Sequence, residues 1–235
     1  MMQHIRRIIQ RFIRRGMATA GGETPALASR FVPKRLPASY QQAAKAMVDF
    51  AELKTQYYRD RVIRCSREGA HPDIIDFEQQ FRKALAARGY PFYAFEFYRS
   101  DERQDQLYRQ GVTKAQHGQS PHNWGCAVDI IHLRKLWDLS EKEWAIIGAL
   151  GKEVARKRNI KITWGGDWDF YDPAHWELRD WRSYRDAWHA LGDVPEKPLK
   201  GDFERMRDYI WPKRADRRAV RAEKTARRLK ENEWR

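Results

Sequence analysis

Hydrophobic positions along the chain recur in several distinct rhythms. Ile5, Ile8, Ile9, Phe12 and Ile13 fall at i, i+3, i+4, i+7 and i+8, with arginines between them. That pattern predicts a basic amphipathic helix over residues 1–16. Residues 17–38, with Gly21-Gly22 and prolines at 25, 33 and 37, read as a linker. Ala44, Met47, Val48, Ala51, Leu53 and Tyr57 predict one long helix over 39–67, within a helical extension spanning 39–72. A second helix is expected from Asp73 to Arg88, closed by Gly89 in a left-handed cap. Phe92 to Tyr98 is an aromatic strand, and Ser100 to Gln110 a helix ending at Gly111. Ser140 and Glu143 form a capping box that opens a helix running to about Arg158. Short strands are expected at Gly125–Ile131, Ile160–Trp164 and His175–Leu178, and a helix at Trp181–Leu191 closed by Gly192. Helices before and between short strands indicate an α+β domain over 73–195. Residues 196–235 read as a basic tail, a solvated helix or disordered from Lys213 onward.

Composition narrows the class. At 235 residues the chain holds one good-sized domain plus extensions. Ten Trp, ten Tyr and ten Phe supply a core and leave aromatic surface for stacking on sugars or peptides. No run of eighteen apolar residues exists, so no transmembrane helix is expected. Two cysteines, Cys65 and Cys126, are too few for a disulfide framework, which points to synthesis in a reducing cytoplasm. The net charge of +14 sits at the ends: +5 over residues 1–16 and +6 over 212–235, leaving +3 between them.

That basicity suggests partners for the ends rather than for the domain. The first helix either lies on an anionic membrane or lipopolysaccharide surface, packs on the domain, or is not translated, Met17 being an alternative start. It lacks the apolar core of a secretory signal. The basic tail suits phosphate polymers, anionic wall polymers or an outer-membrane surface; no specific nucleic acid is expected, and neither is an oligomer.

The chemistry concentrates in two segments. Ser120-Pro-His-Asn-Trp-Gly-Cys-Ala-Val-Asp129 is followed by Trp164-Gly-Gly-Asp-Trp-Asp-Phe-Tyr-Asp172-Pro-Ala-His175-Trp-Glu-Leu178. Asp129 lies within Ala-Val-Asp-Ile-Ile, and a carboxylate buried in an apolar strand is costly unless paired or bound to metal. Catalytic zinc keeps three protein ligands and an open position, and imidazole and carboxylate suit it. His122, Asp129 and His175 are therefore assigned as zinc ligands, with Asp172 as general base and acid. The alternative for Asp129 is an ion pair with Arg99 or Arg103. Pro173 biases Asp172 toward extended backbone, which helps to hold that carboxylate in place.

The motif Ser-x-His-x6-Asp followed by Gly-Gly-Asp-Trp…Asp-Pro-x-His-Trp-Glu-Leu resembles the M15 family of zinc peptidases, most of all its phage-endolysin endopeptidase branch. The segment Phe97-Tyr-Arg99-Ser-Asp-Glu-Arg-Gln-Asp-Gln-Leu-Tyr108 resembles the family's strand-to-helix segment. The resemblance spans roughly residues 73–190. It implies a small antiparallel sheet carrying the zinc site, flanked by helices, with helical N- and C-terminal extensions. It implies cleavage of peptidoglycan stem peptides, as an L-alanyl-D-glutamate endopeptidase or as a D-Ala-D-Ala carboxypeptidase, in the periplasm or at the cell wall. It gives Arg99 the binding of substrate and of the transition state; a surface ion pair is the alternative. Ser120 either hydrogen-bonds substrate or caps its turn. From another class, a non-catalytic wall- or nucleic-acid-binding protein would use the basic ends.

Other polar residues stand apart from that set. His117 is expected in solvent, and His71 and His189 have no metal-like spacing. His132 lies two residues past a buried strand position. Glu177 shares the strand face of His175 and is either structural or a partner that orients it. Asp167 is expected to order the Gly165-Gly166 turn.

Overall fold

Short polar side chains divide the first helical region. In the computed structural model, which describes residues 37–192 and 197–211, the single helix expected over 39–67 is two. Helix α1 spans Ala38–Ala46 and α2 spans Gln56–Arg64, with a 3-10 turn at Glu52–Lys54 between them. The Asp49 carboxylate accepts the Glu52 N–H at 2.8 Å, and the Thr55 hydroxyl accepts the Tyr58 N–H at 3.1 Å. Such side chains offer the backbone partners that compete with a continuing helix.

The remaining helices follow the pattern. Helix α3 (Pro72–Ala86) carries Pro at its first turn and buries Ile74, Phe77, Phe81 and Leu85 on one stripe. Helix α4 (Asp101–Arg109) is capped by Ser100, and α5 (Glu141–Arg158) opens with the Ser140–Glu143 capping box. Helix α6 is Trp181–Leu191. Gly89, Gly111 and Gly192 all take positive φ at the helix ends where left-handed caps were expected.

The strands β1 (Phe92–Glu96), β2 (Ala127–His132), β3 (Ile162–Trp164) and β4 (His175–Leu178) form one antiparallel sheet in the order β1-β2-β4-β3. The β2–β4 register sets Asp129 opposite His175, Val128 opposite Trp176 and Ala127 opposite Glu177. Directly opposed residues share a face, and successive ones alternate. Trp176 therefore turns to the helical side, where its ring meets Phe77, Phe81 and Trp164. Asp129, His175 and Glu177 turn to the other side. Helix α5 can lie this close because Gly151 has no side chain: a Cβ there would stand 2.2 Å from the Trp176 ring.

Helices on either side of residues 73–195 also contribute to the core. Ala43, Ala44 and Met47 of the N-terminal extension are buried in the same cluster as α3 and α5. Residues read as the start of a tail form α7 (Lys200–Ile210), which packs on α6 and buries Phe203 and Met206. The high charge of this segment obscured its apolar i, i+3, i+7 positions Phe203, Met206 and Ile210. The N-terminal amphipathic helix, most of the linker and the tail from residue 212 lie outside the described residues. Among the described residues no helix is long and apolar enough to cross a membrane.

Candidate metal centre

His122, Asp129 and His175 are brought together from three separate pieces of chain. His122 lies on the 3-10 turn Pro121–Trp124. The Ser120 hydroxyl accepts the His122 N–H at 3.3 Å there, and Asn123 Oδ1 accepts the Ser120 N–H at 3.4 Å. Ser120 thus caps its turn, and it also lines the cleft. Asn123 Nδ2 donates to the Arg99 carbonyl at 3.1 Å, and the Arg99 N–H donates to the His122 carbonyl at 3.1 Å, tying this turn to the end of β1. Asp129 and His175 come from facing positions on β2 and β4.

The partners of the two imidazoles decide which nitrogens face inward. His122 Nδ1 lies 2.6 Å from the Phe97 carbonyl, which can only accept, so the proton sits on Nδ1 and Nε2 presents a lone pair. His175 Nε2 lies 3.2 Å from the Glu177 carboxylate, which leaves Nδ1 facing the centre. His122 Nε2, His175 Nδ1 and Asp129 Oδ1 then lie 3.1, 3.2 and 3.3 Å from one another. Three lone pairs at such distances, two of them on buried imidazoles, need a shared cation or a proton. Burial alone would lower the His175 pKa, but the carboxylates of Asp129 and Glu177 overcome it and push it up to about 9. Burial would raise Asp129, yet the two histidines hold it well below the ordinary carboxylate range. The donor set therefore fits a divalent cation, for which His175 would give up a proton.

The surroundings are charged and ordered. Arg99 is 8% exposed, so it is no surface ion pair. Its Nε donates to Glu96 at 2.7 Å, its Nη1 to Gln104 at 2.9 Å, and its Nη2 approaches both Glu96 and Asp129 Oδ2, the latter at 3.4 Å. Asp129 thus touches Arg99 as well as the histidines. Burial, reinforced by the nearby Asp129, raises the Asp172 pKa. Asp172, Arg99 and the three clustered residues all line one cleft of about 700 Å³. The Trp168 ring leans on His175 with centroids 5.2 Å apart.

Two contributors were missed in the sequence, Glu96 and Gln104. Glu96 carried a usable signal as the lone charge in an aromatic strand. Gln104, fully buried, also donates to the Ala115 carbonyl at 2.7 Å and carried none.

The other histidines are elsewhere. His117 pairs with Asp105 at the surface. His71 caps α3, and His189 packs edge-on against Trp124. His132 Nδ1 accepts the N–H groups of Arg134 and Lys135 at 3.2 and 3.1 Å and so organises a turn. Asp167 does more than order its turn, since its carboxylate pairs with Lys152.

Comparison with known proteins bears on the same region. A family profile described as D-alanyl-D-alanine carboxypeptidase, of the M15 peptidases, matches residues 113–178. The peptidoglycan L-alanyl-D-glutamate endopeptidase CwlK of Bacillus subtilis (strain 168) is 30% identical over 127 residues, covering 46% of this chain and 72% of the relative. The crystal structure of the Serratia marcescens L-Ala D-Glu endopeptidase ChiX is matched at 28% identity over 56% of this chain and 92% of that one, with a TM-score of 0.41.

Proposed function

Because the chain belongs to the M15 family of metal-dependent peptidases, we propose that it is a zinc peptidase that hydrolyses the L-alanyl–D-glutamate bond of peptidoglycan stem peptides. The observation that carries this reading is the convergence of two imidazole nitrogens and one carboxylate oxygen at 3.1 to 3.3 Å separations in the cleft. Ligands of a tetrahedral zinc, held at about 2.0–2.1 Å, stand about 3.3 Å apart, so this donor set suits the ion with little adjustment. His122, Asp129 and His175 would hold it. When bound, it would supply Lewis acidity and make water nucleophilic near neutral pH.

The chain's own residues do the rest. Asp172 takes the proton of the attacking water and returns it to the departing amine; its raised pKa suits a group that must be protonated in one half of the cycle. Arg99 presents its guanidinium to the scissile carbonyl oxygen or a substrate carboxylate, oriented by Glu96 and Gln104. Glu177 and the Phe97 carbonyl hold the two imidazoles in the tautomers that ligation requires. Ser120 keeps the His122 turn in shape at the substrate's edge of the cleft. Such an enzyme acts at the cell wall, and a role in phage-encoded lysis matches the branch that its second motif resembles.

Asp172→Asn tests the assignment. Turnover of purified sacculi should fall by at least about 100-fold, with the zinc content, measured by atomic absorption, unchanged. Retained turnover would remove Asp172 from the mechanism. The family profile's description favours one second reading, a D-alanyl-D-alanine carboxypeptidase. Mass spectrometry of digested muropeptides separates the two, since loss of a terminal alanine marks the carboxypeptidase and release of the stem peptide marks the endopeptidase.

A further inference from the structure

Phe95 and Trp137 stand on the cleft wall and take no part in the metal centre. They are 44% and 47% exposed, and their rings meet edge to face at 4.9 Å. Aromatic rings in contact beside a cleft with convergent polar groups are the lining that ligand sites use.

The backbone is built to present them. On β1, Ala94 pairs with Ile130 and Glu96 with Asp129, so Phe95 is the extra residue of a bulge. The bulge lets two successive residues, Phe95 and Glu96, both line the cleft beside Asp129, where a regular strand would present one. Neighbouring strands lie about 4.8 Å apart and residues rise about 3.3 Å, so the Phe95 backbone is about 6 Å from that of Asp129. Trp137 follows Leu136, whose φ is +54°. Leucine rarely adopts a left-handed conformation, and such residues persist where the surroundings hold them. Here His132 holds them: its backbone bonds Leu136 in both directions at 2.9 and 3.2 Å, and its ring accepts two more N–H groups of the same turn.

We propose that the Phe95–Trp137 pair is a platform for the sugar ring that carries the stem peptide, which makes the glycosylated stem peptide, rather than the free peptide, the preferred substrate. The inference rests on the stem-peptide reading above. In that substrate only the alanine and the lactyl group separate the scissile bond from the sugar, about 7 Å of chain at roughly 3.5 Å per residue. With the Phe95 backbone about 6 Å from that of Asp129 and both rings lining the same cleft, the platform stands on the scale of that reach. The stem peptide has small methyl groups and carboxylates but no large apolar side chain to occupy two aromatic rings. A pyranose ring presents an uncharged C–H face that does. Another cleft residue, Lys114, sets its ammonium 4.5 Å from the Phe170 ring, offering positive charge to the carboxylate-bearing part of the peptide.

The test uses the zinc-loaded full chain, with the disaccharide tetrapeptide and the free tetrapeptide as paired substrates. For wild type, Trp137→Ala, Phe95→Ala and Trp137→Phe, the ratio of kcat/KM on the two substrates is measured, so that a general loss of folding cancels. The ratio should fall about 5- to 10-fold in the two alanine variants and be largely restored in Trp137→Phe. An unchanged ratio in Trp137→Ala overturns the platform. If wild type cuts neither substrate, the stem-peptide reading falls. Calorimetric binding of the disaccharide peptide to wild type and Trp137→Ala then decides the platform separately: a 5- to 10-fold weaker Kd in the variant supports it, and equal affinities overturn it.

Discussion

Removal of the Glu177 carboxylate should weaken zinc binding about 10- to 100-fold without unfolding the protein. Glu177 accepts the proton of His175 Nε2 at 3.2 Å, and both side chains are buried. In Glu177→Ala that N–H has no acceptor, at a cost of about 1–3 kcal/mol. Metal-free wild type, with its His175 pKa raised to about 9, carries a proton on both ring nitrogens; without Glu177 the ring sheds the one on Nε2 and keeps the one on Nδ1, against Asp129 Oδ1 at 3.2 Å. Nδ1 is the nitrogen that would face the metal, so the ion would have to reverse this tautomer on binding. A loss of about 1.4 to 2.7 kcal/mol corresponds to the 10- to 100-fold range. Glu177→Gln can turn its amide oxygen toward Nε2 and should lose less than Glu177→Ala. Competition against a chromogenic chelator at pH 7.5 measures the affinities, and thermal melts of the metal-free proteins check the fold. Wild-type affinity in Glu177→Ala, or a Gln variant weaker than the Ala variant, would refute the tautomer argument.

Two further expectations concern stability. His71 is buried as the cap of α3, with Nδ1 accepting the Asp73 N–H at 3.0 Å and the ring between Tyr184 and Phe203. Burial, and secondarily Arg207, push its pKa down to about 3. The unfolded chain, with a pKa of about 6.5 at this residue, binds a proton first on acidification. The contribution of His71 is therefore complete above about pH 6.5 and is lost toward pH 3, at up to about 1.4 kcal/mol per pH unit. His71→Asn keeps a capping side chain and should flatten the fall in denaturant stability between pH 6.5 and 4.5; superimposable profiles would refute this. Gly151→Ala would drive a methyl into the Trp176 ring and should cost about 1–3 kcal/mol, seen as a Tm lower by roughly 2–10 °C; a raised Tm would show that the helix gains more from alanine than the sheet loses.

Much of this protein was legible locally. Helix boundaries set by Ser140 with Glu143, by Ser100, and by Gly89 and Gly192 rest on hydrogen bonds spanning a few residues, and those residues stand together in the sequence. The strand His175–Leu178 and the three clustered residues were legible for a related reason. A carboxylate among apolar neighbours and an imidazole beside an Asp-Pro turn are unusual locally, wherever the chain goes next. The same local logic failed at residues 39–67, where apolar spacing suggested continuity but Asp49 and Thr55 supplied competing bonds.

What the chain pattern left open was everything that depends on register and on contact between distant segments. Asp129 faces His175 only because β2 and β4 pair antiparallel in one register; a shift of one residue would send the carboxylate to the opposite face. Arg99 is buried against Glu96 and Gln104 rather than exposed in a surface pair. Phe95 and Glu96 both line the cleft because the β1–β2 register slips between Ala94 and Glu96, which neither strand's sequence displays. Helices α1 and α7 join the core through apolar contacts that span most of the chain. Hydrogen bonds within a turn are set by neighbours, whereas these arrangements arise from burying apolar surface jointly across the whole domain. No single segment carries that information, so the clustered residues could be named from the sequence while the geometry that orients them required the fold.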